Sequence, residues 1–141
     1  MQRDDAIAER LGRLAQFASV FESPEFVAGE SVVPPSAPGT WTMPYTRYHP
    51  GVDRFVALAY EDGWVLAGFA WMEWSTTPEA EGLRDDPEVL GTATVEQLAR
   101  LITTLVRQER FVEGSLMRAF ESGLVLGIAR RAEGLMEAID G

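Results

Sequence analysis

The sequence predicts a mainly α, single-domain helical bundle with a short extended segment or small β-hairpin near residues 40–48. Three observations carry this expectation. Apolar residues recur at helical spacing near the start, the middle and the end of the chain. Only one stretch, around Trp41 and Tyr45, alternates with a period of two. No internal repeat or change of composition divides the 141 residues, a length at which one core forms without staples, so residues 1–141 are expected to be one globular domain.

Taken in order, Ile7, Leu11, Leu14, Ala18 and Phe21 lie on one stripe and predict an amphipathic helix over residues 4–21, ended by Ser23-Pro24. GESVVPPSAPG, residues 29–39, shows neither period and reads as an exposed connection. In TWTMPYTRY, residues 40–48, Trp41, Met43 and Tyr45 alternate with Thr40, Thr42 and Pro44, so a short extended segment or edge strand is expected. Val52, Phe55, Val56, Ala59 and Tyr60 return to helical spacing, and Asp62-Gly63 closes that helix. Thr77-Pro78-Glu79 and Asp86-Pro87-Glu88 each set a capping oxygen before proline and an acid, which predicts two short helices. Thr94 and Gln97 form a capping-box pattern at the head of a helix that should reach about residue 110. After Gly114 a short helix carries Leu116, Met117 and Phe120, Ser122-Gly123 turns the chain, and a last helix aligns Leu124, Ile128, Leu135 and Ile139. Val95, Leu98, Ile102 and Leu105 are expected to bury against Leu124, Ile128 and Leu135, or against the first helix.

Composition closes several chemistries. Cysteine is absent, which removes disulfides, thiolate metal sites and a thiol nucleophile. All 12 basic residues are arginine, so Schiff-base chemistry and a phosphate-loop lysine are excluded. His49 is the single histidine, too few for a multi-histidine metal centre. A net charge of −10 opposes a phosphate backbone, so no nucleic acid is expected as a partner. The longest apolar run, residues 64–72, is about half the ~20 residues a spanning helix needs, and the N-terminal stretch lacks a signal-peptide pattern. No membrane association and a cytoplasmic location are the expectations.

Each candidate site in the sequence also has a plainer role. Asp85, Asp86 and Glu88 suggest a hard-cation loop, but Pro87 breaks the alternating ligand spacing and capping is the better account, so no metal is expected. Glu61, Asp62, Glu79 and Glu81 read as solvated charge. His49 has no nucleophile in a recognisable context, and no glycine-rich phosphate loop is present. The helices flanking Gly123 resemble a helix-turn-helix with Arg118, Arg130 and Arg131 near the turn, yet the second would open on Leu124, Val125 and Leu126, which cannot read bases. Trp41, Tyr45, Tyr48, Trp64, Trp71 and Trp74 cluster in the irregular middle, as core or as the lining of a pocket.

The run RQERFVEG, residues 107–114, holds Arg107, Glu109, Arg110 and Glu113 at spacings that allow pairing along one helix end. It is expected to be a structural corner first, with Phe111 inserted in the core, Gly114 in a tight turn and Arg110→Gln lowering thermal stability. This string, Val106-Arg107 and Glu109-Arg110-Phe111 followed by Gly114, Gly123 and Arg130-Arg131, together with Met43-Pro44-Tyr45, Tyr48, Val52, Phe55 and Trp64, resembles an uncharacterised bacterial family, the domain of unknown function 6508. Family members often carry Cys, Asp, His and Trp around that glycine, where this chain has Val112, Glu113, Ser115 and Leu116. The resemblance implies no activity, cofactor or catalytic residue.

The functional expectation is a small binding or protein-interaction module without a cofactor, leaning away from an enzyme, whose partner is a protein or a small molecule; a homodimer is compatible with the pattern. The alternative is an enzyme or ligand-binding protein with an aromatic-lined pocket. The candidate ligand-binding residues are Tyr45, Tyr48, Trp64, Trp71, Trp74, Arg107, Arg110 and Glu113.

Overall fold

The computed structural model describes residues 2–35, 37–40 and 43–140. Along the chain these form α1 (Gln2–Ala15), α2 (Phe17–Phe21), β1 (Gly29–Val32), β2 (Tyr45–Tyr48), α3 (Pro50–Glu61), α4 (Trp71–Trp74), α5 (Pro78–Asp85), α6 (Pro87–Leu90), α7 (Val95–Gln108), α8 (Ser115–Glu121) and α9 (Leu124–Asp140). Among the described residues the fold is mainly helical with one small antiparallel hairpin.

The local signals explain most element starts. Thr77 and Asp86 accept from the backbone of Ala80 and Glu88, each ahead of a proline at the first helical position. Thr94 and Gln97 form both halves of a capping box on α7. His49 caps α3: its Nδ1 accepts from Gly51 N at 2.9 Å, and its ring meets Phe26 edge-on at 4.8 Å. The first helix is divided at Gln16, where Ser19 Oγ donates to the Gln16 carbonyl at 3.1 Å and competes with the helical ladder.

One strand expectation is corrected. Residues 29–32, read as connection, form β1, whose register is Gly29 with Tyr48, Glu30 with Arg47, Ser31 with Thr46 and Val32 with Tyr45. The second strand, Tyr45–Tyr48, lies within the stretch expected to be extended, and Trp41 and Thr42, on which the alternation partly rests, lie outside the described residues. A four-residue strand with an exposed outer face has too short a pattern to be read from hydrophobicity.

The core joins all parts of the chain. Leu11, Leu14, Phe55, Trp64, Leu98, Ile102 and Ile128 are fully enclosed. Its aromatic centre is made of phenylalanines rather than the Trp/Tyr group: Phe21 meets Phe120 edge-on at 4.8 Å, while Phe17 and Phe120 approach Phe55 at 5.7 and 5.9 Å. α9 lies chiefly along α1 and touches α7 over a shorter length, so the last helix closes mainly on the first. The segment after α3 is tied to α7 by buried Thr103, whose Oγ1 accepts from Leu66 N at 2.9 Å and lies 2.7 Å from Ala99 O and 3.1 Å from Trp64 O. Trp64 is covered by the Arg10 guanidinium, 4.5 Å from the ring centre. Among the described residues, no helix is long and apolar enough to cross a membrane.

Candidate functional site

Two surfaces emerge from this scaffold, and the first is the corner between α7 and α8. α7 stops at Gln108, whose carbonyl accepts from both Phe111 N and Val112 N at 2.9 Å, and Gly114 takes φ 90°, which only glycine adopts freely. Glu109 organises the turn. Its carboxylate accepts from Gly114 N at 2.9 Å, from Leu116 N at 3.2 Å and from the Tyr48 hydroxyl at 2.5 Å. Burial, and then the hydrogen bond to Glu109, push the Tyr48 phenol above its usual value of 10.0. Glu113 accepts from Thr46 N at 3.1 Å, so both glutamates hold the hairpin rather than pair with arginine. The expected Arg110–Glu113 ion pair does not form, nor does Phe111 enter the core: its ring is 69% exposed and lies 6.0 Å from that of Trp71. The physical reason is that Glu109 and Gly114 already satisfy the turn, leaving the intervening side chains outside.

The eight sequence-proposed residues divide. On the hairpin side of the corner Tyr48 donates to Glu109 and Glu113 accepts from Thr46 N; on its outer side Trp71 lies against Phe111 and Arg110 Nη2 reaches Tyr60 OH at 3.4 Å. Arg107 sits in the last turn of α7, and Tyr45 is exposed on β2. Trp64 is enclosed in the core. Trp74 is buried, and its Nε1 donates to Glu79 at 2.5 Å. Glu79 also accepts from Gln97, and these bonds, Trp74 first, hold its carboxyl below the ordinary value of 4.5; it is a hub rather than simple solvated charge. Asp62 is likewise engaged, by Arg13 at 2.7 Å.

The second surface was not foreseen. A cleft of about 790 Å³ opens between the α5–α6 turn, α8 and α9, and none of the eight residues lines it. Leu83, Leu90, Leu105 and Leu124 form its apolar part, and Arg84, Arg118, Arg130 and Arg131 its basic part. Arg84 pairs with Asp85 and Arg130 with Glu22, while Arg131 Nε donates to Ala93 O at 2.8 Å. Arg118 meets no acceptor among the described residues. Three of these arginines are the ones that suggested a helix-turn-helix; Leu124 and Val125, at the start of its second helix, are buried. No sequence signal assembles the cleft, because its walls come from segments separated by up to about 50 positions. Asp85 and Asp86 face no ligand geometry: Asp86 caps α6 and Asp85 holds Arg84.

Neither a curated protein nor a solved structure matches the chain. The C-terminal string that suggested a family is carried by the corner and by the arginines of the cleft. The model of a family of unknown function (DUF6508) matches residues 6–138, and the chain belongs to that family.

Proposed function

We propose that the protein is an interaction module that docks an acidic, apolar segment of another protein on the corner between α7 and α8. The observation that carries the reading is Phe111, an aromatic ring held 69% exposed on a turn whose backbone is fixed. A ring presented this way loses little freedom on docking, and aromatic and arginine side chains are the usual anchors of protein interfaces. Met72, Val112 and Tyr60 extend the apolar surface, and Trp71 supports the ring. Arg107 and Arg110 have no carboxylate partner among the described residues, so charge complementarity asks for acidic groups opposite them. A second copy paired about a two-fold axis through this patch would set Arg110 against its own equivalent, which disfavours self-association there. Tyr45, Tyr48 and Glu113 position the corner through the hairpin, and Trp64 and Trp74 belong to the supporting core. The reading assigns binding and no catalysis.

Selection from a random peptide library tests it. The expected sequences combine Asp or Glu with aromatic or aliphatic residues, and their affinity falls at least about tenfold in Phe111→Ala and Arg110→Glu, with the melting temperature unchanged. Selected peptides indifferent to both substitutions would overturn the proposal. So would a dimer in solution that Phe111→Ala dissociates.

A further inference from the structure

The cleft stands apart from the corner and carries its own argument. Its walls are backed by the buried Leu83, Leu90, Leu105 and Leu124, and its charged rim, Asp85 apart, is basic in a chain of net charge −10. Arginines are few here, and four of 12 converge on this one concavity. Structural pairing accounts for part of that convergence, since Arg84, Arg130 and Arg131 have protein acceptors. It does not account for Arg118. One turn before it on the same face of α8, Ser115 also lines the cleft, and its Oγ is shut off from solvent without a hydrogen-bond partner among the described residues. A buried hydroxyl left unpaired costs stability, and because this Oγ is closed to solvent an acceptor in the cleft reaches it only where a side chain of the wall turns aside.

The two glycines of α9 that line the cleft, Gly127 and Gly134, act differently. A Cβ at Gly127 would come within 2.7 Å of Leu90 Cδ2, so this glycine lets α6 close against α9. At Gly134 a Cβ would meet nothing nearer than Arg131 Nη1 at 3.8 Å, so the groove there is open.

We infer that the cleft binds a small amphiphile with a single carboxylate head, the head held by Arg118 with Ser115 beside it and the apolar body laid over the leucines. The guanidinium fork matches a carboxylate in geometry and charge. A monoanion is favoured over a dianion because the rim offers one arginine without an acceptor among the described residues, which leaves a second ligand charge unpaired.

Titration calorimetry with octanoate tests the assignment on the full chain. Octanoate is expected to bind, with 1-octanol at least about tenfold weaker for want of the charge-assisted hydrogen bond, acetate at least about tenfold weaker for want of apolar surface, and octyl phosphate at least about tenfold weaker because its second charge finds no arginine without an acceptor. Arg118→Gln is expected to weaken octanoate about tenfold or more, and Ser115→Ala to weaken it without lowering the melting temperature, since the hydroxyl makes no bond to lose. Gly134→Leu, which has room for its side chain and suits a helix, is expected to block the groove in a protein that remains folded. No octanoate binding to the parent chain overturns the inference. Equal affinity for 1-octanol or octyl phosphate, or binding unchanged by both Arg118→Gln and Gly134→Leu, also overturns it. The corner proposal stands or falls separately, because none of these substitutions touches Phe111 or Arg110.

Discussion

Glu109 shows how a single carboxylate can replace a network of charges. Sequence spacing around residues 107–113 suggests ion pairs, but the acceptor is used by Tyr48, Gly114 and Leu116, the first of them 61 positions away. That distance is why the role was not legible: an i, i+4 rule sees only neighbours on one helix. We expect Glu109→Ala to lower stability by about 1–3 kcal/mol in chemical denaturation, since it strands partly buried donors. Arg110→Gln reverses its sequence expectation and should stay within about 0.5 kcal/mol of the parent, because its one side-chain contact, with Tyr60, is long and exposed. Equal losses in the two variants would contradict this division of labour. Glu79 supplies a pH test. Hydrogen bonds from Trp74 and Gln97 depress its folded-state value below 4.5, so its contribution is present above the ordinary carboxylate value and is lost as pH falls through the lower, folded one. The difference in unfolding midpoint between the parent and Glu79→Gln should therefore shrink on acidification below 4.5; a difference that stays constant to the acid limit would mean that Glu79 acts only through shape.

Elements with complete local instructions were readable, and elements defined by a distant partner were not. α5, α6 and α7 begin where Thr77, Asp86 and Thr94 place a capping oxygen, and their ends follow from Pro, Gly and the loss of apolar spacing. β1 exists because Gly29–Val32 pairs with Tyr45–Tyr48, a relation no window of residues 29–39 contains. Packing between helices has the same limit. The stripes of α7 and α9 were each correct in kind, since Leu98, Ile102 and Ile128 are enclosed, but periodicity gives a face and not its partner, and α9 lies chiefly on α1. Leu98 is fully buried whichever helix covers it, so Leu98→Ala should cost about 2–5 kcal/mol. An unchanged denaturation midpoint would remove α7 from the core.

Across the whole molecule the question is how an acidic chain distributes its few cations. Four arginines line the cleft and two more, Arg107 and Arg110, stand at the corner, in a chain with 22 acidic residues. Local positive charge and global negative charge then lead to different expectations for ligands of different size. A small carboxylate entering the cleft needs one guanidinium and feels the rest of the molecule through solvent over distances at which salt screens it. A duplex must instead lie across a wide surface and neutralise many phosphates together, typically 6–10 contacts for a specific complex (about that number by counterion release). Arg84 and Arg130 already face carboxylates, Arg131 is tied to the Ala93 carbonyl, and the helix that would enter a groove buries its first residues, Leu124 and Val125. We therefore expect no binding to duplex DNA in a gel-shift at physiological salt up to micromolar protein. A micromolar complex that weakens steeply with added salt would show that the arginines of α8 and α9 act as one continuous basic face, and the small-ligand reading of the cleft would have to give way to it.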